Sequence, residues 1–123
     1  MVGKICMVVD DSGVVRKVSR KIMEGIGYEV IEAENGRHAL ELLEESTPQF
    51  ILLDWNMPVM NGIEFLVEFR KTHSADDVKV IFCTTENDMV KIMTAMEAGA
   101  NEYIMKPFDE EILKTKLIQM ELI

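Results

Sequence analysis

Four places in the chain carry side chains fit for chemistry: the acid pair Asp10-Asp11, the lone Asp54, the hydroxyl pair Thr84-Thr85, and the ammonium of Lys106 beside Pro107. Three carboxylates brought together repel, and each tends to keep a proton unless a cation joins them. A hard dication resolves that repulsion, and oxygen ligands in small number suit magnesium with several waters retained. An ammonium beside the cluster holds a further anion. At about 4 Å and an effective dielectric near 20, a unit pair gains roughly 4 kcal/mol before desolvation. Magnesium, an ammonium and a hydroxyl around one carboxylate suit phosphoryl transfer to that carboxylate. The transferred group spreads its charge over three equatorial oxygens, and each needs a partner.

These residues converge only if the elements before them are arranged to bring them together. Each follows a short apolar run: Ile5–Val9, Phe50–Leu53, Val78–Cys83 and Glu102–Met105, with a further run at Tyr28–Ile31. Several runs are continuously apolar, as strands covered by helices on both faces are. Segments of helical length separate them. In the first, Val15, Val18, Ile22 and Ile26 share one helical face, with Arg16, Lys17, Arg20 and Lys21 opposite, and Gly27 closes it. The third helix opens at Asn61-Gly62 with Glu64 placed to satisfy its free amides. The last opens near Asp109, with Glu110 and Glu111 at its positive end and Leu113, Leu117 and Met120 on one face. Strands alternating with helices give an α/β fold with right-handed crossovers. For five such units we expect the flavodoxin-like (βα)5 arrangement, a five-stranded parallel sheet in the order 2-1-3-4-5 with helices on both faces. Ligands then bind past the carboxyl ends of the strands, at the switch point between the first and third.

The 123 residues are expected to form one domain, spanning 1–123. Hydrophobic residues at 48% and charged residues at 28% exclude disorder, and a chain of this length buries enough surface to fold without disulfides or a structural metal. Twenty-two acids against 13 bases leave a net charge of −9, which argues against nucleic acid or an anionic membrane as partner. Cys6 and Cys83 sit in apolar runs without zinc-site clustering and read as buried thiols in a reducing compartment. No targeting or membrane-spanning segment is visible, so a cytoplasmic protein is expected. Other acid pairs serve as controls: Asp76-Asp77 precedes its strand and lies at the wrong edge, while Glu44-Glu45 and Glu110-Glu111 are exposed helix charges. Among the ten methionines, Met23 and Met96 are expected in the core, and Met89, Val90 and Met93 in an exposed apolar patch. His38 and His73 lack a ligand set and are expected to be exposed.

At these residues the sequence resembles the receiver domain of two-component response regulators, most closely the single-domain chemotaxis type. The carriers are Val8-Val9-Asp10-Asp11-Ser12, Leu52-Leu53-Asp54-Trp55-Asn56-Met57-Pro58 with Gly62, Phe82-Cys83-Thr84, Ala98-Gly99-Ala100, and Tyr103-Ile104-Met105-Lys106-Pro107-Phe108. The resemblance implies that Asp54 is the phosphoacceptor, attacking the phosphohistidine of a sensor histidine kinase or histidine phosphotransfer protein, or a small phosphodonor. It implies a Mg2+ ion held by Asp11, Asp54 and the backbone carbonyl of Asn56, with Asp10 acting through a water. Thr84 and Lys106 would partner phosphoryl oxygens, and the Lys106-Pro107 bond would be cis. Thr84 and Tyr103 would form a switch that couples the site to the α4-β5-α5 face and so to a phosphorylation-dependent protein target. Asn56 and Glu86 resemble the pair found in fast-cycling chemotaxis regulators, whereas Thr85 stands where the family usually has a smaller residue, which could restrict access. A monomer is expected. The basic face of Arg16, Lys17, Arg20 and Lys21 is expected to be a solvated one, although the resemblance implies that the first helix docks the kinase.

The resemblance leaves several outputs open: chemotaxis, a phosphorelay intermediate, a phosphate sink, or developmental control. Two unrelated functions fit less well. A Mg2+-dependent phosphatase with an aspartyl nucleophile carries its two acids two residues apart and usually has a cap, whereas Asp10 and Asp11 are adjacent and no cap-sized insertion is present. A nucleotide binder needs a Gly-rich phosphate loop after the first strand, and none follows it.

Overall fold

The computed structural model describes residues 4–85 and 89–123. Along them run β1 (Lys4–Val9), α1 (Gly13–Ile26), β2 (Tyr28–Ala33), α2 (Gly36–Leu43), β3 (Phe50–Asp54), α3 (Gly62–Phe69), β4 (Lys79–Thr84), α4 (Met89–Glu97), β5 (Glu102–Met105) and α5 (Glu110–Gln119). The strands form one parallel sheet in the order β2-β1-β3-β4-β5, as expected. Among the described residues no helix is long and apolar enough to cross a membrane.

Strand alternation divides the core between the two faces of the sheet. Met7, Val9, Ile51, Leu53, Val80 and Phe82 meet Ala39 of α2, Phe65 and Leu66 of α3 and Ala95 of α4. Cys6, Val8, Phe50, Leu52, Ile81 and Cys83 meet Met23 of α1 and Leu113 and Leu117 of α5. Both cysteines are buried thiols, and desolvation pushes each up to about 12, which keeps them unreactive.

The helix ends follow the local chemistry. Gly27 closes α1 at φ 110°, a left-handed conformation that favours glycine. Asn61 and Glu64 form a reciprocal capping box on α3, and the Asp109 carboxylate accepts from the Ile112 amide to start α5.

Four expectations need correction. Val18 does not face the sheet: it is exposed, and the buried stripe of α1 runs through Ser19 and Met23 with Val15, Ile22 and Ile26 partly covered. Counting apolar residues alone passed over the small serine that lets the helix pack closely. The basic face is not a uniformly solvated one either. Arg16 and Arg20 both pair with Glu32 on β2, at 3.2 and 2.6 Å, leaving Lys17 and Lys21 exposed. Met96 is exposed rather than in the core, whereas Met23 is fully buried. His38 and His73 are half-buried: His38 Nδ1 accepts from the Glu34 amide, and His73 stacks on Phe69 at 4.6 Å.

Candidate functional site at the sheet's carboxyl edge

Asp54 and Thr84 are the last residues of β3 and β4 rather than the first residues beyond them. That difference fixes their backbones in the ladder, where Asp54 lies opposite Cys83 and Thr84 opposite Met105. Asp10 follows β1 directly. Its amide donates to the Ala33 carbonyl, and its own carbonyl accepts from the Arg16 guanidinium at 2.6 Å. Ser12 caps α1 and donates its amide to Asp10 Oδ1 at 2.9 Å, so the turn after β1 orients the carboxylate. The roles of Arg16 and Ser12 were not anticipated from the sequence. The serine at a strand-to-helix turn is a readable cap signal; the arginine is not, because its partners are a backbone carbonyl, which carries no sequence signature, and a glutamate on β2.

The expected cluster forms. Ligand oxygens of Asp10, Asp11 and Asp54 lie within 4.8 Å of one another, with Asp10 and Asp54 buried and Asp11 exposed. The Lys106 ammonium sits across two of them, 2.5 Å from Asp10 Oδ2 and 2.9 Å from Asp54 Oδ1. The Lys106-Pro107 peptide is cis, and the Lys106 amide donates to the Thr84 carbonyl at 2.8 Å, tying β5 to β4 at the site. Both Asp10 oxygens are engaged, by Ser12 and Lys106. No hydrogen bond among the described residues engages Asp54 Oδ2. The donor set of three hard carboxylate oxygens fits a small divalent cation such as Mg2+.

The electrostatics carry the strain of holding like charges together. Burial raises the Asp54 carboxyl above the ordinary aspartate range, with Asp10 and Asp11 pushing the same way, and the Lys106 hydrogen bond only partly offsets them. For Lys106, burial disfavours the charge, but its hydrogen bonds to Asp10 and Asp54 win and its pKa rises. The two shifts have opposite consequences. The Lys106 contribution is fully present below the ordinary lysine pKa and is lost as alkali titrates the folded form. The folded state holds the Asp54 proton more tightly than the unfolded chain, so the metal-free protein loses stability as pH rises from the acid range through that raised pKa. Asp54→Asn should therefore stabilise the metal-free protein at neutral pH by about 1 kcal/mol. The gain should shrink toward zero as the pH falls into the acid range. Urea unfolding across pH measures this, and a gain independent of pH would contradict the assignment.

Around the cluster, Thr84 is buried and Asn56 and Thr85 are exposed. Tyr103 is 37% exposed, with the Lys116 ammonium 5.7 Å from its ring centroid. Glu86 lies outside the described residues. Trp55 lies beside the acceptor, with its amide bonded to the Cys83 carbonyl and Lys91 Nζ 4.9 Å from its ring. In the loop after β3, Val59 takes φ 69° while 73% exposed. A β-branched residue is strained there. Val59→Gly is expected to stabilise the protein by about 1 kcal/mol in thermal or urea unfolding; a loss of stability would show that the conformation is unstrained.

Residues 6–118 match the family model described as "Response regulator receiver domain". The chain belongs to the response regulator receiver family. Chemotaxis protein CheY1 of Helicobacter pylori (strain J99) is 40% identical over 113 residues, covering 90% of this chain and 91% of that protein. The phosphate regulon transcriptional regulatory protein PhoB of Pseudomonas aeruginosa is 34% identical over 117 residues, 95% of this chain but only 51% of PhoB. Among solved structures, chemotaxis response regulator CheY4 of Vibrio cholerae superposes with a TM-score of 0.88 at 31% identity, covering 96% of this chain and 98% of that one. Receivers of this family generally bind Mg2+ at an acidic pocket and act in signalling, and the cluster of Asp10, Asp11 and Asp54 is compatible with such a pocket.

Proposed function

We propose that this receiver is a stand-alone response regulator, one unit over residues 1–123, that accepts a phosphoryl group on Asp54 from a sensor histidine kinase or histidine phosphotransfer protein. The observation that carries the reading is the meeting of Asp10, Asp11 and Asp54 within 4.8 Å, under one ammonium. Asp11, Asp54 and the Asn56 carbonyl would hold Mg2+, with Asp10, already engaged at both oxygens, acting through a water. The bound ion supplies positive charge beside the developing phosphoryl negative charge. Asp54 attacks phosphorus with the oxygen that Lys106 does not hold. Lys106 then follows the charge from Asp54 to a phosphoryl oxygen, and the Thr84 hydroxyl binds another. The chain catalyses only its own phosphorylation and dephosphorylation, and Asn56, Thr85 and Glu86 set the lifetime.

Phosphorylation puts about −1.5 to −2 charges where one carboxylate stood. Thr84 moves toward that charge, and Tyr103 turns inward from its exposed position. The α4-β5-α5 face changes with it. Met89, Val90 and Met93 on that face are exposed at 57%, 73% and 56%, an apolar patch suited to a protein target that recognises the phosphorylated form. Reaching 99:1 from 1:99 needs about 5.5 kcal/mol of preference, within reach of a few charge-assisted bonds. The protein works as a monomer in the cytoplasm. The CheY1 likeness favours chemotaxis as the output, whereas the PhoB likeness is a reminder that the same unit serves transcription. The test is intact-mass spectrometry after incubation with acetyl phosphate, with and without Mg2+. One phosphoryl group should be gained only with Mg2+, and none in Asp54→Ala. A gain that survives Asp54→Ala would overturn the assignment.

A further inference from the structure

Asp11 is exposed, so packing does not fix its carboxylate, and its place in the cluster depends on the peptide that joins it to Asp10. That peptide is held from outside the cluster. Its carbonyl, on Asp10, accepts from Arg16 Nη1 at 2.6 Å. The turn fixes the residue that follows, because the Ser12 amide donates to Asp10 Oδ1 at 2.9 Å. Arg16 lies one turn into α1. Side chains on a helix point back toward its start, which brings the guanidinium to the end of β1.

The guanidinium is itself held. Arg16 Nε donates to Glu32 Oε1 at 3.2 Å, so one planar group joins the end of β1 to β2. The other Glu32 oxygen accepts from Arg20 Nε at 2.6 Å, and Arg20 Nη2 donates to the Val30 carbonyl at 3.1 Å. Two guanidiniums therefore fix Glu32. Side-chain exposures of 16% for Arg16 and 22% for Glu32 keep their pair largely out of water. Charge-assisted bonds of this kind hold direction as well as position. None of these three side chains belongs to the acidic cluster, and none partners the phosphoryl group in the mechanism proposed above.

We infer that Arg16 is a positioning residue for the divalent cation, an inference that rests on the Mg2+ role proposed above for the cluster. Arg16 fixes the Asp10–Asp11 peptide so that the Asp11 carboxylate meets the ion, and Glu32 acts through Arg16 by holding it in place. The charge of Arg16 works against the ion, since a cation near the site repels a dication. Its orienting role and its field thus have opposite signs, and a binding measurement separates them. Groups that orient metal ligands are worth about 10- to 100-fold in metal affinity. Arg16 acts through the backbone and not on the carboxylate itself, which puts it at the low end.

The test is calorimetric titration of the metal-free protein with Mg2+, the fold of each variant being checked by circular dichroism. Arg16→Lys keeps the charge, but one ammonium lacks the fixed fork that reaches the Asp10 carbonyl and Glu32 together. Mg2+ should bind it about tenfold more weakly. Arg16→Met should also weaken binding, about fivefold, although the lost cation alone would tighten it. Lys17→Met makes the same charge change at an exposed neighbour and should shift the affinity by less than about twofold. Glu32→Ala should weaken binding about threefold in the parent protein and not at all in Arg16→Lys, because its effect passes through Arg16. At saturating Mg2+, phosphorylation of Asp54 by acetyl phosphate in Arg16→Lys should return to within about threefold of the parent rate, since the lost contact serves the ion and not phosphorus. Parent-like Mg2+ affinity in Arg16→Lys, tighter binding in Arg16→Met, or a phosphorylation defect that saturating Mg2+ leaves in place overturns the positioning role. A Glu32→Ala loss that persists in the Arg16→Lys background removes Glu32 from it. Failure of the parent protein to bind Mg2+ overturns the metal site itself, so the two failures are distinguishable.

Discussion

Replacing Lys106 by methionine is expected to destabilise the metal-free receiver by about 3 kcal/mol, a large fraction of the stability of a domain of this size. Methionine keeps much of the aliphatic stem, so the loss isolates the charge. The ammonium is mostly enclosed, with a side-chain exposure of 12%, and it is the partner that both Asp10 and Asp54 use. Removing it leaves two buried carboxylates facing each other with Asp11 close by, the arrangement that desolvation and mutual repulsion make most costly. Saturating Mg2+ should recover part of the loss, because a dication in the same cluster offsets the same charges. Urea unfolding at neutral pH, with and without Mg2+, measures both effects. A loss below about 1 kcal/mol, or one that Mg2+ leaves unchanged, would mean the acids are not coupled through Lys106. The same variant should accept phosphorus at least a hundredfold more slowly, since Lys106 partners the transferred group.

The second large effect is expected at Gly62, for reasons of space rather than backbone freedom. A Cβ there would lie 2.4 Å from the Asp54 carbonyl oxygen and 3.2 Å from Trp55 Cα. Both are backbone atoms at the end of β3, and the Gly62 amide donates to the Trp55 carbonyl at 3.1 Å, so α3 starts directly against the acceptor. Gly62→Ala must push the strand end or the helix outward, at a stability loss of about 2 kcal/mol. Gly36→Ala is the control. Its Cβ would meet the Met60 side chain at 2.8 Å and Phe65 Cβ at 2.9 Å, a clash of similar severity on the flank of the site. If Gly62 sets the acceptor's position, Gly62→Ala should slow phosphorylation of the folded protein about tenfold more than Gly36→Ala does. Equal phosphorylation rates in the two variants would reduce Gly62 to a packing role.

The sequence revealed the residues that end strands and left hidden those that cross between elements. Continuous apolar runs ending in Asp10, Asp54, Thr84 and Lys106 carry both the strand and its terminus, so topology alone brings them together at one edge. The capping box at Asn61 and Glu64 was legible because it is written three residues apart. Arg16 was not, because one partner is the carbonyl of Asp10 in the turn before its helix and the other the Glu32 carboxylate on β2, and no sequence pattern signals either contact. Val18 was misplaced for a related reason. Periodicity counts apolar residues, but the buried position on α1 is taken by the small Ser19, and Val18 beside it is exposed. Lys106 was expected to await an anion. In the fold it is already committed to two, because the buried carboxylates need a cation whether or not a metal is present.

The central claim is that Asp10, Asp11 and Asp54 gather one divalent cation while leaving Asp54 an oxygen for phosphorus. A crystal structure of the protein grown with Mg2+ and beryllofluoride tests it most directly. Beryllofluoride should be bonded to Asp54, with Mg2+ bound by Asp11, Asp54 and the Asn56 carbonyl, and Lys106 moved from Asp54 to a fluorine. Beryllofluoride on another residue, or Mg2+ bound away from these three acids, would contradict it.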